Sequence, residues 1–362
     1  MSELQNAREI INKVDKEMAR LFEVRMDAAK MVATYKKENG IPIDDFVREA
    51  EVINRNSGYI ENEDYRSYYV NFLKNNIKLS KDLQHRLLEG MTVAYSGVEG
   101  AFANIAARRI FPDARCLPYS DFKAAYTAVE KGECDCVILP IENSFNGDVG
   151  TVLDLAFFGS LYINGVYEVE VVQNLLGLKG SSLMNIKKVV SHPQALGQCA
   201  KYIEKHGFET ANAVNTAVAA KTVAENGDDT VAAIGSLEAA EQFSLQVLAE
   251  KINDSGTNTT RFAVFSRSYR KPSPIDERFI MLFTVKNTAG SLGEAISVIG
   301  QHGFNLKALK SRPTKELVWD YFFYVEGEGN IDSDEGNEML EQLQGCCSNL
   351  KILGSFEKEI HI

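Results

Sequence analysis

Leu4, Ala7, Ile11, Val14, Met18, Leu21, Arg25, Ala28, Val32 and Tyr35 follow one another in alternating steps of three and four residues. That is the seam of a long helix packed against other helices. Gly40-Ile41-Pro42 ends it, and Asp44-Asp45-Phe46-Val47-Arg48-Glu49 reads as the aspartate-capped start of a second helix. A third is expected from about Asp64 to Leu88. From Thr92 the pattern changes to short apolar runs alternating with helical stretches, the mark of an α/β domain. Strands are expected at Thr92–Tyr95, Cys136–Ile141 and Lys187–Ser191, and Asn258-Thr259-Thr260-Arg261-Phe262 opens a last one. A polar stretch from Ser268 to Pro274 marks a boundary. Beyond it come a strand (Phe279–Val285), a helix (Ser291–Gln301), two strands (Phe304–Lys310 and Trp319–Glu326), a helix (about Ser333–Leu343) and a strand (Leu350–Phe356), the order of a ferredoxin-like α+β module. Three domains follow, over residues 1–90, 91–268 and 277–362.

Arg25 stands where the seam calls for an apolar side chain. A buried guanidinium without partners costs several kcal/mol, so a protein carboxylate or an anionic ligand is expected to meet it. Lys36 lies eleven residues further on, about 1100° of rotation and ~16 Å of rise, so both cations share one face. Arg8 lies ~25 Å before Arg25 along the same helix and cannot reach the same small ligand. Its contribution requires a second copy of the helix.

Arg8, Arg25, Lys36, Asp45, Arg48, Glu49, Ser80 and Gln84 together resemble the polar active-site set of the all-helical chorismate mutases, over residues 1 to about 90. The resemblance implies an intertwined dimer in which Arg25 and Arg8 of the partner subunit hold the two substrate carboxylates, with Arg48 alongside. It implies that Lys36 and Gln84 donate hydrogen bonds to the ether oxygen, while Glu49 and Asp45 meet the substrate hydroxyl and nearby backbone. Guanidinium forks suit carboxylates, and a rearrangement that needs no covalent catalyst leaves the protein to position the substrate and stabilise charge.

At 362 residues, with 45% hydrophobic and 25% charged residues, the chain has the composition of an ordinary globular protein of two or three domains. No run approaches the ~20 apolar residues of a membrane span, and Met1-Ser2-Glu3 does not begin a signal peptide, so no membrane partner and a cytoplasmic location are expected. Cys116, Cys134, Cys136, Cys199, Cys346 and Cys347 form no Cys-x-x-Cys pair, which speaks against structural zinc and for reduced thiols. A net charge of −11 argues against nucleic acid. No Gly-x-Gly-x-x-Gly or phosphate-loop sequence is present, and neither chemistry invoked here requires a metal or organic cofactor.

In the α/β part, polar clusters follow the expected strands, where open sheets bind ligands. Ser96-Gly97-Val98-Glu99-Gly100 leads into a helix from about Ala101, whose first N–H groups suit an anion. His192, read alone, is a turn residue capping the helix after it. Gly97-Val-Glu-Gly100, Pro140-Ile-Glu142-Asn143-Ser144, Ser191-His192-Pro193-Gln194, Gln198-Cys199, Asn215-Thr216-Ala217 and Thr260-Arg261-Phe262 resemble, in order, the prephenate dehydratase domain over about residues 92–268. The resemblance implies two α/β lobes of periplasmic-binding-protein-like form around a cleft. It implies Thr260 as proton donor or relay, with Glu142, Asn143, Ser144, His192, Gln198, Thr216, Arg261 and Phe262 contacting the substrate prephenate.

The C-terminal part resembles an ACT domain, an amino-acid-sensing module that works in pairs. The family's Gly-Ala-Leu and Glu-Ser-Arg-Pro motifs read here Gly290-Ser291-Leu292 and Lys310-Ser311-Arg312-Pro313, with Asn305-Leu306 kept. Phenylalanine held by Gly290, Leu292, Asn305, Leu306, Ser311, Arg312 and Pro313 is the implied effector, against a module that only pairs chains. Arogenate as second substrate, and a non-catalytic amino-acid-binding regulator, stand as alternatives.

Overall fold

Ser2 opens the first helix, α1 (Glu3–Asn39), by accepting from the Gln5 backbone N–H while the Gln5 side chain accepts from its own. Gly40, in the left-handed region at φ 62°, closes it. In this computed structural model, which describes residues 2–314, 320–358 and 360–362, α1 belongs to one of two compact units, Met1–Met91 and Thr92–Ile362. Asp45 caps α2 (Phe46–Ser57) by accepting from the Arg48 N–H at 2.9 Å, and α3 (Glu63–Glu89) packs along α1. All three helices stand where the hydrophobic pattern puts them.

The seam does not pack as the pattern suggests. Leu4, Ile11, Val14, Met18, Leu21, Val32 and Tyr35 are exposed, and the residues of α1 that are buried are Ala29 and Ala33. Arg25, Ala29 and Ala33, at steps of four, share one face of α1, from which Arg25 reaches α3. The ten-residue stripe is therefore left without an intrachain partner over most of its length.

In the second unit, one sheet carries Thr92–Ser96, Arg115–Tyr119, Cys136–Asn143, Gly147–Asp148, Tyr162–Glu170, Thr259–Ser266 and Ile360–His361. A second sheet carries Asn174–Gly177, Lys188–Ser191, Glu209–Asn212, Val231–Gly235 and Gln246–Ala249. These two sheets make two lobes, and the chain passes between them twice. The crossings are tied together: Val171 N–H donates to the Asn258 carbonyl, Ile252 N–H to the Gln173 carbonyl, and the Asn253 side chain joins Gln173 N–H to the Val171 carbonyl.

The C-terminal strands Arg278–Val285, Asn305–Pro313, Tyr321–Glu328 and Cys347–Phe356 form a third sheet in the ferredoxin-like order, second, third, first, fourth. The expected strand Trp319–Glu326 begins outside the described residues, at Trp319. Arg278–Val285 reads Phe-Ile-Met-Leu-Phe through its middle, a continuous apolar run, and is buried on both faces. Phe279, Met281 and Phe283 face the module's own helices. Ile280 and Leu282, with Phe322, Tyr324, Leu353 and Phe356, join Val137, Leu139, Val152, Leu153 and Phe265 in one hydrophobic cluster with the first lobe. The third predicted domain thus shares a core with the second.

Candidate active sites

In the helical unit, Arg25 of α1 donates to the Asn76 carbonyl at 2.8 Å and to the Ser80 hydroxyl. Burial pushes its guanidinium down from the ordinary value. Of the two expected counter-groups, a protein carboxylate or an anionic ligand, the first is not seen: among the described residues the hydrogen-bond partners of Arg25 are neutral oxygens of α3. Gln84, one turn beyond Ser80 and equally buried, holds an amide oxygen with no hydrogen-bond partner among the described residues. Lys36 Nζ donates to the Ile43 carbonyl at 2.6 Å. Arg25, Ser80, Gln84 and Asn76 are thus brought together from α1 and α3.

Asp45 is occupied as the α2 cap, and Arg48 lies on the exposed face of α2 in a pair with Glu51. Glu49 meets Lys81 at 2.9 Å, which also meets Asp44 at 2.7 Å. The Asp44 hydrogen bond leads the effects that hold the Lys81 ammonium above its ordinary value. Lys81 escaped the sequence reading although it lies between Ser80 and Gln84. Arg8 is exposed on α1.

The second unit contains a cleft of about 370 Å³ lined from both lobes. Four helices begin at its wall: Phe102–Ile110 at Ala101, Gly150–Phe158 at Val149, Pro193–Gln198 at His192 and Thr216–Asn226 at Asn215. Ala101 and Val149 supply no side-chain cap, so first-turn N–H groups stay available, and helix N-termini favour anions. Among the described lining residues, His192 is the one titratable side chain. His192 does cap its helix, its Nδ1 accepting from the Gln194 N–H at 3.3 Å, and it lines the cleft as well.

Asn143 and Thr260 face each other across paired strands. The Asn143 amide oxygen accepts from the backbone N–H groups of Phe145 (3.1 Å) and Asn146 (3.0 Å), which turns Nδ2 toward Thr260 Oγ1 at 2.9 Å and Asn258 Oδ1 at 3.0 Å. Thr260 therefore accepts from Asn143 and keeps its own O–H for a ligand. Phe262, Gln198 and Thr216 line the same cleft. Gln173, which the sequence reading passed over, lies beside them: its amide donates to Gln198 Oε1 at 3.4 Å and its own oxygen is unpartnered.

Glu142, Ser144 and Arg261 do not line the cleft, contrary to the resemblance. Strand alternation is the reason. Thr260 and Phe262 point one way, while Arg261 points through the other face of the sheet to Glu142 (3.0 Å) and to both oxygens of Glu326 on the C-terminal sheet (2.7 and 3.0 Å). Burial alone would lower the Arg261 guanidinium, but Glu326 and Glu142 hold it above its ordinary value. Ser144 is spent on backbone, donating to the Thr257 carbonyl and accepting from the Thr259 N–H.

Five of the seven residues implied for the effector fall at the two ends of one strand. Asn305 and Leu306 begin their strand and Ser311, Arg312 and Pro313 end it, roughly 20 Å apart. Gly290, at φ 91°, and Leu292 lie at the start of helix Ser291–Gln301. Alternation also separates Arg312 from its neighbours: Ser311 and Pro313 are exposed, while Arg312 turns inward to pair with both oxygens of Asp154 at 2.6 and 3.0 Å.

A family model described as prephenate dehydratase matches residues 93–270, and one described as chorismate mutase type II matches residues 7–85. The bifunctional chorismate mutase/prephenate dehydratase of Aquifex aeolicus (strain VF5) is 31% identical, over 99% of this chain and 99% of its own length. The chain belongs to this bifunctional family. It rearranges chorismate to prephenate in the helical domain and converts prephenate to phenylpyruvate in the α/β domain. Arogenate dehydratase/prephenate dehydratase 1 of Arabidopsis thaliana is 32% identical over 74% of this chain and 72% of its own length. Among solved structures, prephenate dehydratase from Arthrobacter aurescens, in complex with L-Phe, superimposes with a TM-score of 0.69 at 28% identity over 74% of this chain and 90% of that one. In the chorismate mutase domain, Arg25 meets Ser80 between α1 and α3, one turn before the buried Gln84. In the dehydratase domain, uncapped helix N-termini reach the cleft wall, and among the described lining residues none is Asp, Glu, Lys or Arg.

Proposed function

We propose that the chorismate mutase centre is built around Arg25, with Lys36 and Gln84 donating to the ether oxygen and Arg8 of the partner subunit completing the cage. Arg48, Glu49, Asp45 and Ser80 support it. Arg25 has neutral partners in the chain, and that supports a carboxylate of the ligand as its missing counter-ion. The exposed stripe along α1 supports a dimer, because an apolar surface of that length is unstable in water alone.

In the dehydratase, Thr260 is the acid. The ring C–O bond breaks, the departing hydroxide takes a proton delivered through Thr260 and leaves as water. The ring carboxylate leaves as carbon dioxide, its C–C electron pair completing the aromatic ring. Asn143 aims the Thr260 hydroxyl, and the helix N-termini with His192, Gln198 and Thr216 hold the carboxylates. The single observation that carries this reading is the Asn143-to-Thr260 hydrogen bond at the cleft wall.

Arogenate differs from prephenate by an amino group in place of a keto oxygen, and the similarity to the plant enzyme keeps it as a second substrate. The C-terminal module is an ACT domain, and phenylalanine is its effector. Support comes from the ferredoxin-like strand order and from the L-Phe complex of the Arthrobacter relative.

A time course on chorismate alone, resolving chorismate, prephenate and phenylpyruvate with and without phenylalanine, tests the whole reading. Phenylpyruvate forming through transient prephenate, more slowly with phenylalanine, is the expected result. Prephenate accumulating unchanged would make arogenate the substrate to try, and no response to millimolar phenylalanine in rate or thermal midpoint would end the effector assignment.

A further inference from the structure

Glu142 and Asp148 stand directly opposite each other on the two arms of the hairpin that carries Asn143. Like charges in that position drive strands apart. Lys310, from the C-terminal sheet, reaches both carboxylates, Glu142 Oε1 at 3.0 Å and Asp148 Oδ1 at 2.5 Å, and is itself largely buried. Its ammonium also lies over the Tyr324 ring. Between those arms, the turn N–H groups of Phe145 and Asn146 fix the Asn143 amide, which in turn orients Thr260. Arg261 clamps the other oxygen of Glu142 and ties it to buried Glu326.

We infer that Lys310 is a positioning residue for dehydration, closing the Glu142–Asp148 hairpin from behind so that Asn143 presents Thr260 correctly to the substrate. Its ion-pair and ring partners, Glu142, Asp148 and Tyr324, are not among the described cleft-lining residues, and it acts through Glu142, Asn143 and the turn that follows. Where the family motif carries glutamate, a third carboxylate would face Glu142 and Asp148. This chain carries lysine, so in it the C-terminal module supplies the cation that its own hairpin charges require. The inference rests on the reading of Asn143 and Thr260 as the working pair.

The test compares the full-length enzyme with Lys310→Met, Lys310→Arg and the double variant Lys310→Met/Asp148→Asn, measuring kcat and KM for prephenate, mutase turnover and thermal midpoint. A misaimed catalytic group lowers turnover more than binding, so Lys310→Met should lose about tenfold in kcat with KM little changed. Mutase turnover should be unaffected. Lys310→Arg should keep most of the activity, and removing the opposed carboxylate in the double variant should recover part of the loss. Unchanged kcat in Lys310→Met overturns the inference, and so does a loss that neither Lys310→Arg nor Asp148→Asn relieves. Thr260→Ala, run alongside, separates the two levels: normal dehydration by that variant removes the underlying reading, whereas its inactivity beside a normal Lys310→Met removes the Lys310 inference alone.

Discussion

Arg25 and Ser80, 55 residues apart in the chain, are joined by a direct hydrogen bond between α1 and α3, and the same guanidinium takes the Asn76 carbonyl. Both neutral oxygens meet Nη1, and neither balances the charge of the guanidinium. Such an arrangement is costly for stability and useful for binding an anion.

Arg25→Met is therefore expected to lower mutase kcat/KM by ~10²–10³ while leaving the thermal midpoint unchanged or higher, because an uncompensated buried cation is replaced by an apolar side chain of similar length. Steady-state kinetics and thermal unfolding of the same preparation check it. Loss of both activity and stability would make Arg25 a structural residue.

Thr260→Ala should lower dehydration by ~10²–10⁴, the usual range for a positioned proton transfer, and spare mutase turnover. Asn143→Ala should act in the same direction, since Thr260 then loses the donor that orients it. Separate assays with chorismate and with prephenate decide this, and parallel loss of both activities would contradict independent sites.

On the proposed pairing of two α1 helices, a charge in the uncovered stripe, as in Val14→Asp or Leu21→Asp, should prevent dimer formation. Both side chains are about half exposed in the single chain, at 51% and 52%, so the substitution costs the isolated subunit little. Sedimentation velocity should show the smaller species, with mutase activity lost for want of the partner's Arg8 and dehydration retained. A monomeric variant with full mutase turnover would exclude a shared site.

Burial raises the Glu142 carboxyl, but Lys310 and Arg261 together bring it below its ordinary value. A group depressed in the folded state contributes stability above its unfolded value and loses it as pH falls through the folded one. Wild type should therefore exceed Glu142→Gln in unfolding free energy at neutral pH, and the difference should disappear on acidification below the ordinary glutamate range. Denaturant titrations across that range measure it; a pH-independent difference would mean that the charge of Glu142 does not carry the contribution.

Local order was written plainly in the chain. Capping residues Asp45 and His192, the Gly40 stop and the alternating three- and four-residue steps of α1 are interactions among near neighbours, and they place the three helices of the first unit and several strand ends to within a residue or two. The order of the polar clusters along the chain carried the dehydratase chemistry in the same way, several of them ending a strand or starting a helix. What each side chain faces was not legible in that way. Arg261 and Thr260 are adjacent, yet alternation about the sheet sends one to the cleft and the other to Glu326, 65 residues on. The α1 seam has helical period whether its partner is α3 or a second chain, and only packing shows that Ala29 and Ala33, off the seam, are buried.

By itself, then, the sequence determined the helices, the strand–turn–helix starts and the residues capable of the chemistry, because these depend on periodicity and on side chains a few positions apart. The tertiary structure alone decided which of those residues share a site. Register between Cys136–Asn143 and Thr259–Ser266 sets Asn143 beside Thr260 and turns Glu142 and Arg261 away, and the docking of the C-terminal sheet brings Lys310 to Glu142 from 168 residues downstream. Such pairings rest on side-chain direction and long-range packing, quantities that a linear pattern with a period of two or 3.6 cannot encode.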